Sequence, residues 1–349
     1  MLAAVFRGPD KLGVEEWPVP QVGAADVLVR VEACSVCGTD IRIWRGKKTL
    51  GVRIPSLLGH EVSGIIVEVG AEAAASGWRE GERVAIAPVV SCGTCHACRL
   101  GIENACENRQ ALGYEFDGGF AEYVRVPAVA VRRGNLFRVP ETLSSELAAL
   151  AEPLACCING QEQAGVRMGD LVVVFGAGPI GLMHLQLART AGARRVIAVE
   201  PVAERRAVAQ RLGADPVVDP ATEDPTTVVK ELSGGIGADV VILAVGAPSL
   251  VNQALRLARR GGSVNLFAGF SGGDRAEIDP NTIHYRQLRV TGATSSTRLQ
   301  FQKALDLMSA ARVDLDPLIT HRFPLRETVR AFETAERYGG LKVVVRPDG

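Results

Sequence analysis

An excess charge of either sign is missing from this chain: 39 lysines and arginines balance 39 aspartates and glutamates over 349 residues. No global field therefore draws nucleic acid or an anionic membrane surface to it, and any recognition must be local. No secretory leader is expected from the opening MLAAVFRGPDKLGVEEW, which puts Arg7, Asp10 and Lys11 where a leader needs a continuous apolar core. The most apolar stretch, 171–188, is interrupted by Gly176, Gly178, Pro179, Gly181 and His184, which suits a strand, turn and helix better than a membrane span. Internal repeats and low-complexity tracts are absent as well. These gaps lead to the expectation of a soluble, cytoplasmic protein with no membrane and no nucleic-acid partner.

What is present fills a large globular chain. At 47% hydrophobic and 22% charged residues it can bury sizeable cores, and its length suits two domains better than one. From residue 171 onward, β-rich runs at 171–175, 196–199, 216–218, 240–245, 264–267 and 288–291 alternate with helical stretches. Six such runs predict a doubly wound parallel sheet of the Rossmann type. Before 171 the texture changes to short alternating segments, such as Val27-Leu28-Val29-Arg30-Val31 and Ala121-Glu122-Tyr123-Val124-Arg125-Val126, parted by Gly and Pro turns. That texture predicts an antiparallel, barrel-like, mainly β domain. A helix over 298–310 and strand-like segments at 319–323 and 342–346 are expected to rejoin it. The predicted organisation is a catalytic domain over 1–155, a nucleotide-binding α/β domain over 156–292 and a return to the catalytic domain over 293–349, with the active site in the cleft between the two.

Gly176-Ala177-Gly178-Pro179-Ile180-Gly181 follows the first of the six runs and opens a helical stretch, the context in which a GxGxxG has meaning. Gly176 permits the tight turn, Gly178 lets backbone N–H groups approach a pyrophosphate, Gly181 lets helix and strand pack closely, and the helix N-terminus faces the anion. At the end of the second run, the Glu200 carboxylate can accept hydrogen bonds from an adenosine ribose and would repel a 2′-phosphate, which favours NAD over NADP. Arg205 and Arg206 follow; they could cover an adenine or accommodate a phosphate, or simply form an exposed helix face.

Eight cysteines in a chain without an export signal point to metal rather than to disulfides. Cys92, Cys95, Cys98 and Cys106 lie in one polar loop, about 91–107, with C-x2-C-x2-C-x7-C spacing. Four thiolates can close a tetrahedron around zinc and leave no place for water, so this site is read as structural. His96 is an available substitute ligand but is read as a loop residue. A second set is dispersed: Cys37 in Cys37-Gly38-Thr39-Asp40, the pair His60-Glu61 after Gly59, and Glu152 in Ala151-Glu152-Pro153. Thiolate, imidazole and carboxylate are all zinc ligands, and a mixed set with one exchangeable position is what catalysis needs. Taken singly, each would be ordinary core or surface.

Together these motifs resemble the medium-chain, zinc-containing alcohol and polyol dehydrogenases over essentially the whole chain. Gly59-His60-Glu61 with Gly64, Gly70 and Ala73, then the four-cysteine loop, Gly118-Gly119-Phe120-Ala121-Glu122-Tyr123 and the dinucleotide loop follow in family order. Gly38 and Glu152 are similar to the sorbitol and threonine dehydrogenase branches, and the tail from Ile319 to Leu325 is similar to sorbitol dehydrogenase. Arg42 departs where a histidine often ends a proton relay, and Thr294-Ser295 departs from the sorbitol dehydrogenase pattern. The resemblance implies a GroES-like catalytic domain, two zinc ions per chain, NAD, a homotetramer or homodimer, and oxidation of a secondary hydroxyl on a small alcohol, polyol or sugar-like substrate. L-threonine and simple secondary alcohols are the alternatives.

It also implies a catalytic zinc held by Cys37, His60 and one or both of Glu61 and Glu152, with Thr39 relaying the hydroxyl proton and Asp40 orienting His60. Trp44, Tyr114 and Phe116 are candidates for the pocket wall or for packing, His184 for core, and Cys156 and Cys157 for small buried thiols. Two rival classes are a zinc-independent quinone or enoyl reductase, opposed by the dispersed ligand set, and a non-enzymatic zinc and nucleotide-binding regulator, opposed by the zero net charge.

Overall fold

The structure, a computed structural model, describes residues 1–270, 274–337 and 339–347. It divides into two compact units: residues 1–155, 295–309 and 315–349 form one, and residues 156–294 and 310–314 form the other.

The first unit is built on a seven-stranded sheet in which Val27–Ser35 is central. Its residues are buried except for the half-buried Arg30 and Glu32, as a central strand covered over most of both faces requires. Glu61–Val69 and Tyr123–Val126 pair with it antiparallel, and the tail strand Lys342–Arg346 pairs with its C-terminal end. Arg83–Ile86 and Leu136–Arg138 extend the sheet on one side, and Ile319–Pro324 closes it on the other. The core packs Val27, Val29, Ile66, Val84 and Phe120 with Phe332 from the tail helix Thr328–Glu336. Phe120 and Phe332 meet edge to face at 5.1 Å, and Trp44 meets Phe332 in the same way at 5.8 Å. Trp44 is therefore core, not pocket wall.

The second unit is a six-stranded, wholly parallel sheet. Its spatial order is Val217–Val218, Arg195–Val199, Leu171–Phe175, Ala238–Leu243, Ala258–Leu266, Arg289–Gly292, the 3-2-1-4-5-6 order of a dinucleotide-binding sheet. Both faces are covered, so its strands read as continuous Val and Ile runs. Leu171–Phe175 is buried at every position. The α/β class, a Rossmann sheet inserted into a mainly β chain, is thus present. Two runs move by two residues or more: that expected over 240–245 is Ala238–Leu243, and that expected over 264–267 begins at Ala258. Val245 leaves the sheet toward a turn, and Gly261 and Gly262 concealed a strand that starts before them. His184 is fully buried in this unit, its ring edge-on to Phe267 at 4.4 Å and Nδ1 3.2 Å from the Gln161 amide. Burial alone lowers its pKa to about 3, so it is a neutral core histidine. Among the described residues no helix is long and apolar enough to cross a membrane.

Candidate active site

Three strand ends converge to make the open centre. The central strand runs out through Ser35 and Val36 to Cys37, and Glu61 pairs with Ser35 across the antiparallel ladder. On the other side Val344 pairs with Ser35, a register that brings Lys342 level with Cys37. His60 enters from a backbone only glycine can supply: Gly59 has φ +96°, and a Cβ there would meet the Cys34 sulfur at 2.6 Å and the Phe120 ring at 2.8 Å. The outcome is that one donor atom each from Cys37, His60 and Glu61 lies within 4.8 Å of the others.

Cys37 also caps the helix Gly38–Trp44. Its sulfur accepts from the Thr39 N–H at 3.5 Å, while the Asp40 carboxylate reaches back to the Cys37 N–H at 2.9 Å. The other oxygen of Asp40 faces His60 Nδ1 at 3.3 Å, a contact too poorly aligned to count as a hydrogen bond. With Nδ1 turned to Asp40, Nε2 is the ring nitrogen left for a metal. Burial disfavours the His60 imidazolium, but Tyr114, Asp40 and Cys37 outweigh it and hold the ring well above its usual pKa.

Glu152 stands near enough to raise the proton affinity of Glu61 but lies outside the tight group of three. Glu61 is not free to act alone. Its carboxylate receives the Lys342 ammonium at 2.5 Å, both groups are buried, and Lys342 also donates to the Val36 carbonyl at 3.0 Å. Burial pushes Glu61 up, to about 7, against the pull of that ammonium. Sequence reasoning missed Lys342; its only signal was a lysine at the start of the Val-Val-Val strand, where a solvated residue reads equally well. Tyr114 and Phe116 both pack against the hydrophobic core, and Tyr114 also lines the centre, its ring 5.5 Å from that of His60.

The closed site needs no such convergence. Cys92, Cys95, Cys98 and Cys106 have their sulfurs within 4.8 Å of one another, with Cys95 to Cys98 at 3.5 Å and Cys95 to Cys106 at 3.8 Å. Sulfurs at ~2.3 Å from a tetrahedral zinc stand about 3.8 Å apart, so the donor set fits that ion. Backbone N–H groups of Thr94 and Cys95, with the Thr94 hydroxyl, bring Cys92 down to about 5, and Cys95 is lowered by the Cys98 backbone. His96 is exposed and outside the cluster. None of the eight cysteines forms a disulfide. Arg298, at the start of the helix Arg298–Ser309, grips Glu103 of this lobe through Nε and Nη2 at 3.0 and 2.7 Å.

In the second unit, Gly176 has φ +91°, Gly178 caps the helix Pro179–Thr190, and a Cβ on Gly181 would fall 1.8 Å from the Gly176 carbonyl. Ile180 follows Pro179 in the first turn of the helix. Glu200 is only 4% exposed, and its two oxygens accept from the Ala177 N–H at 2.7 Å and the Val202 N–H at 2.9 Å. It therefore braces the glycine loop as well as ending its strand. Arg205 reaches the loop, with Nη1 3.9 Å from where a Gly178 Cβ would stand. Arg206 is not the bare helix-face residue considered from sequence: it pairs with Asp219 at 2.8 Å and donates to the carbonyls of Glu200 and Pro201.

The profile of the alcohol dehydrogenase GroES-like domain matches residues 23–141, and that of the zinc-binding dehydrogenases matches residues 179–310. An L-threonine 3-dehydrogenase of Bacillus licheniformis is 33% identical over 99% of both chains. This chain belongs to the zinc-binding, medium-chain dehydrogenase family. As a member it is an oxidoreductase of CH–OH donors. Among solved structures, a Sinorhizobium meliloti protein titled a zinc-binding dehydrogenase and bound to NADP is similar, with a TM-score of 0.91 and 37% identity over 99% of both chains. An Escherichia coli CFT073 alcohol dehydrogenase complexed with NADH has a TM-score of 0.89 and 30% identity, again over 99% of both. This dehydrogenase thus shares its fold with relatives carrying either form of the nicotinamide.

Proposed function

We propose that this dehydrogenase uses NAD to oxidise a secondary hydroxyl group, with L-threonine the first substrate to test, and that it holds one catalytic and one structural zinc. The observation that carries the reading is the meeting of Cys37, His60 and Glu61 beside Glu152. The polyol expected from the sequence gives way to threonine because relatives matched over nearly the whole chain carry the name L-threonine 3-dehydrogenase. Zinc there would supply Lewis acidity to the substrate hydroxyl, and the nicotinamide would accept the hydride.

The chain's own residues supply the rest. Cys37 and His60 are the fixed ligands, tied by the helix cap and by Asp40. Lys342 holds Glu61 back by charge, which leaves Glu61 and Glu152 to share the third ligand position. Thr39 offers a hydroxyl that can accept the substrate proton and pass on its own. Gly176, Gly178, Pro179, Ile180 and Gly181 present the pyrophosphate cradle, with Glu200 and Arg205 at the adenosine end.

The test is a spectrophotometric panel of L-threonine, 2,3-butanediol, inositols and sugar alcohols with NAD and NADP, run beside zinc analysis. Reduction of NAD by at least one secondary alcohol, with two zinc ions per chain and loss of both turnover and one ion in Cys37→Ser, is the expected outcome. Full turnover in Cys37→Ser would overturn it.

A further inference from the structure

Three helices of the second unit, Pro225–Leu232, Pro248–Leu257 and Pro280–Arg286, each carry a cation in the last turn: Lys230, Arg256 and Arg286. The fold brings those ends together. The turn after the first helix, Ser233-Gly234-Gly235-Ile236-Gly237, closes on the end of the second because Gly237 has φ +103° and lacks a Cβ, which would stand 2.8 Å from the Leu257 carbonyl. Arg286 reaches across from the third helix and donates to the carbonyls of Leu255, Arg256 and Ala258. At this junction lies a cavity of about 50 Å³ lined by Lys230, Arg256 and Arg286, with Val229, Ile236 and Leu257 as apolar wall.

A cation at a helix C-terminus is ordinary, since each such end carries roughly half a negative charge. Three ends therefore offset only about half of three whole positive charges. Burial, and then the charge of Arg260, lower the Arg286 pKa, and no carboxylate opposes them. No acidic side chain lines the cavity, and Lys230, Arg256 and Arg286 form no ion pair among the described residues. The Lys230 ammonium and the Arg256 guanidinium also donate to no group among those residues, so their N–H donors are unused. The surplus is positive, local and supplied with donors.

Size narrows the ligand. A bound water occupies ~10–15 Å³ of such space, so the cavity has room for roughly three to five oxygen-sized groups, enough for one tetrahedral oxyanion and too little for a base or a sugar ring. Lys230, Arg256 and Ile236 are exposed, which leaves the mouth open to solvent. The cavity sits where the strand Ala238–Leu243 begins, whereas the glycine loop sits where that strand ends, Phe175 pairing with Leu243. The two are therefore about 16 Å apart at the rise of a parallel strand, and the cavity is not the pyrophosphate cradle.

We propose that the junction of Lys230, Arg256 and Arg286 is an anion site for one tetrahedral oxyanion, either free phosphate or the terminal phosphate of a monoester whose organic part stays in solvent. The site goes beyond the dehydrogenase reading and does not depend on it. Lys230 and Arg256 hold the ligand by charge-assisted hydrogen bonds, and Arg286, fixed by its three carbonyls, adds a cation that cannot swing away.

The test is calorimetric titration of the zinc-loaded protein, saturated with NADH, using inorganic phosphate and glycerol 3-phosphate at an ionic strength held constant with chloride. Wild type is compared with Lys230→Gln, Arg256→Gln, the double variant and Lys11→Gln, which removes an exposed charge from the other unit. Both site positions are exposed, so the variants should keep the fold, and melting without phosphate checks this. The expected result is one oxyanion per chain, bound about fivefold to twentyfold more weakly in each single variant and not measurably in the double variant, with Lys11→Gln like wild type. Affinity for glycerol 3-phosphate equal to or tighter than that for phosphate assigns the site to a monoester, and weaker affinity assigns it to the free ion. Absence of saturable binding in wild type would overturn the site. Undiminished binding in the double variant would overturn it in favour of the metal centre or the cofactor loop, and an equal loss in Lys11→Gln would overturn it in favour of a general charge effect.

Discussion

The four-cysteine loop and the Cys37 centre are both clusters of metal-compatible donors, yet they are assembled in opposite ways. The loop gathers four sulfurs from 15 consecutive positions, 92–106, and two of them, Cys92 and Cys95, are biased toward thiolate by local N–H groups, while burial raises Cys106 to about 11. The open centre draws Cys37, His60 and Glu61 from the ends of neighbouring strands, with Lys342 arriving from the far end of the chain. A local cluster can be complete and closed, which suits stability. A convergent one has unequal donors and a carboxylate held by a rival cation, which suits exchange.

The largest effect that would test this contrast is on catalysis. Cys37→Ser or His60→Ala should lower kcat by about a thousandfold or more and remove one zinc ion per chain, while the melting temperature stays near wild type. Cys92→Ser or Cys106→Ser should do the reverse: loss of the other ion, and a stability loss of several kcal/mol or more, since metal binding in such loops is folding energy. Scanning calorimetry and metal analysis on the four variants check both arms. If loop variants abolished turnover without destabilising the fold, the division between structural and catalytic sites would break.

A third effect is on metal retention in acid. Protons compete with metal for each donor, and a donor with raised pKa is protonated at the higher pH. The open centre has fewer donors and a raised His60, whereas the closed loop has four, with Cys92 lowered to about 5 although burial raises Cys106 to about 11, so on titration from neutral pH downward the open centre should release its ion first. A chromogenic chelator, read alongside activity, should show the first equivalent leaving together with turnover. Lys342→Met comes next. It leaves Glu61 buried without its partner and should cost about 3–5 kcal/mol in denaturant unfolding of the metal-free protein. The smallest effect is that of Arg298→Ala, whose half-exposed pair with Glu103 is worth about 1 kcal/mol or less and should leave both ions in place.

The same contrast explains what could be read from the sequence. The Cys loop and the glycine loop are local patterns, so spacing alone named Cys92, Cys95, Cys98, Cys106, Gly176, Gly178 and Gly181 where the structure has them clustered or at the turn into the helix Pro179–Thr190. The six parallel strands were visible because strands buried on both faces are continuous apolar runs. The open centre needed the resemblance to a family, because nothing between Cys37 and His60 encodes that two strand ends will meet. Lys342 was invisible for the same reason: a register between Val344 and Ser35 places it, and register is not a local property. Glu200 and Arg206 show a further limit, since which backbone groups a carboxylate or guanidinium will satisfy depends on loop geometry rather than on spacing.

The most direct test of the two-site account is diffraction from crystals of the zinc-loaded protein above and below the zinc absorption edge. Two anomalous peaks per chain are expected, one enclosed by the sulfurs of Cys92, Cys95, Cys98 and Cys106 and one bounded by Cys37 and His60 with a glutamate and an exchangeable position. A single peak within the loop, with no cation bound by Cys37 and His60, would contradict it.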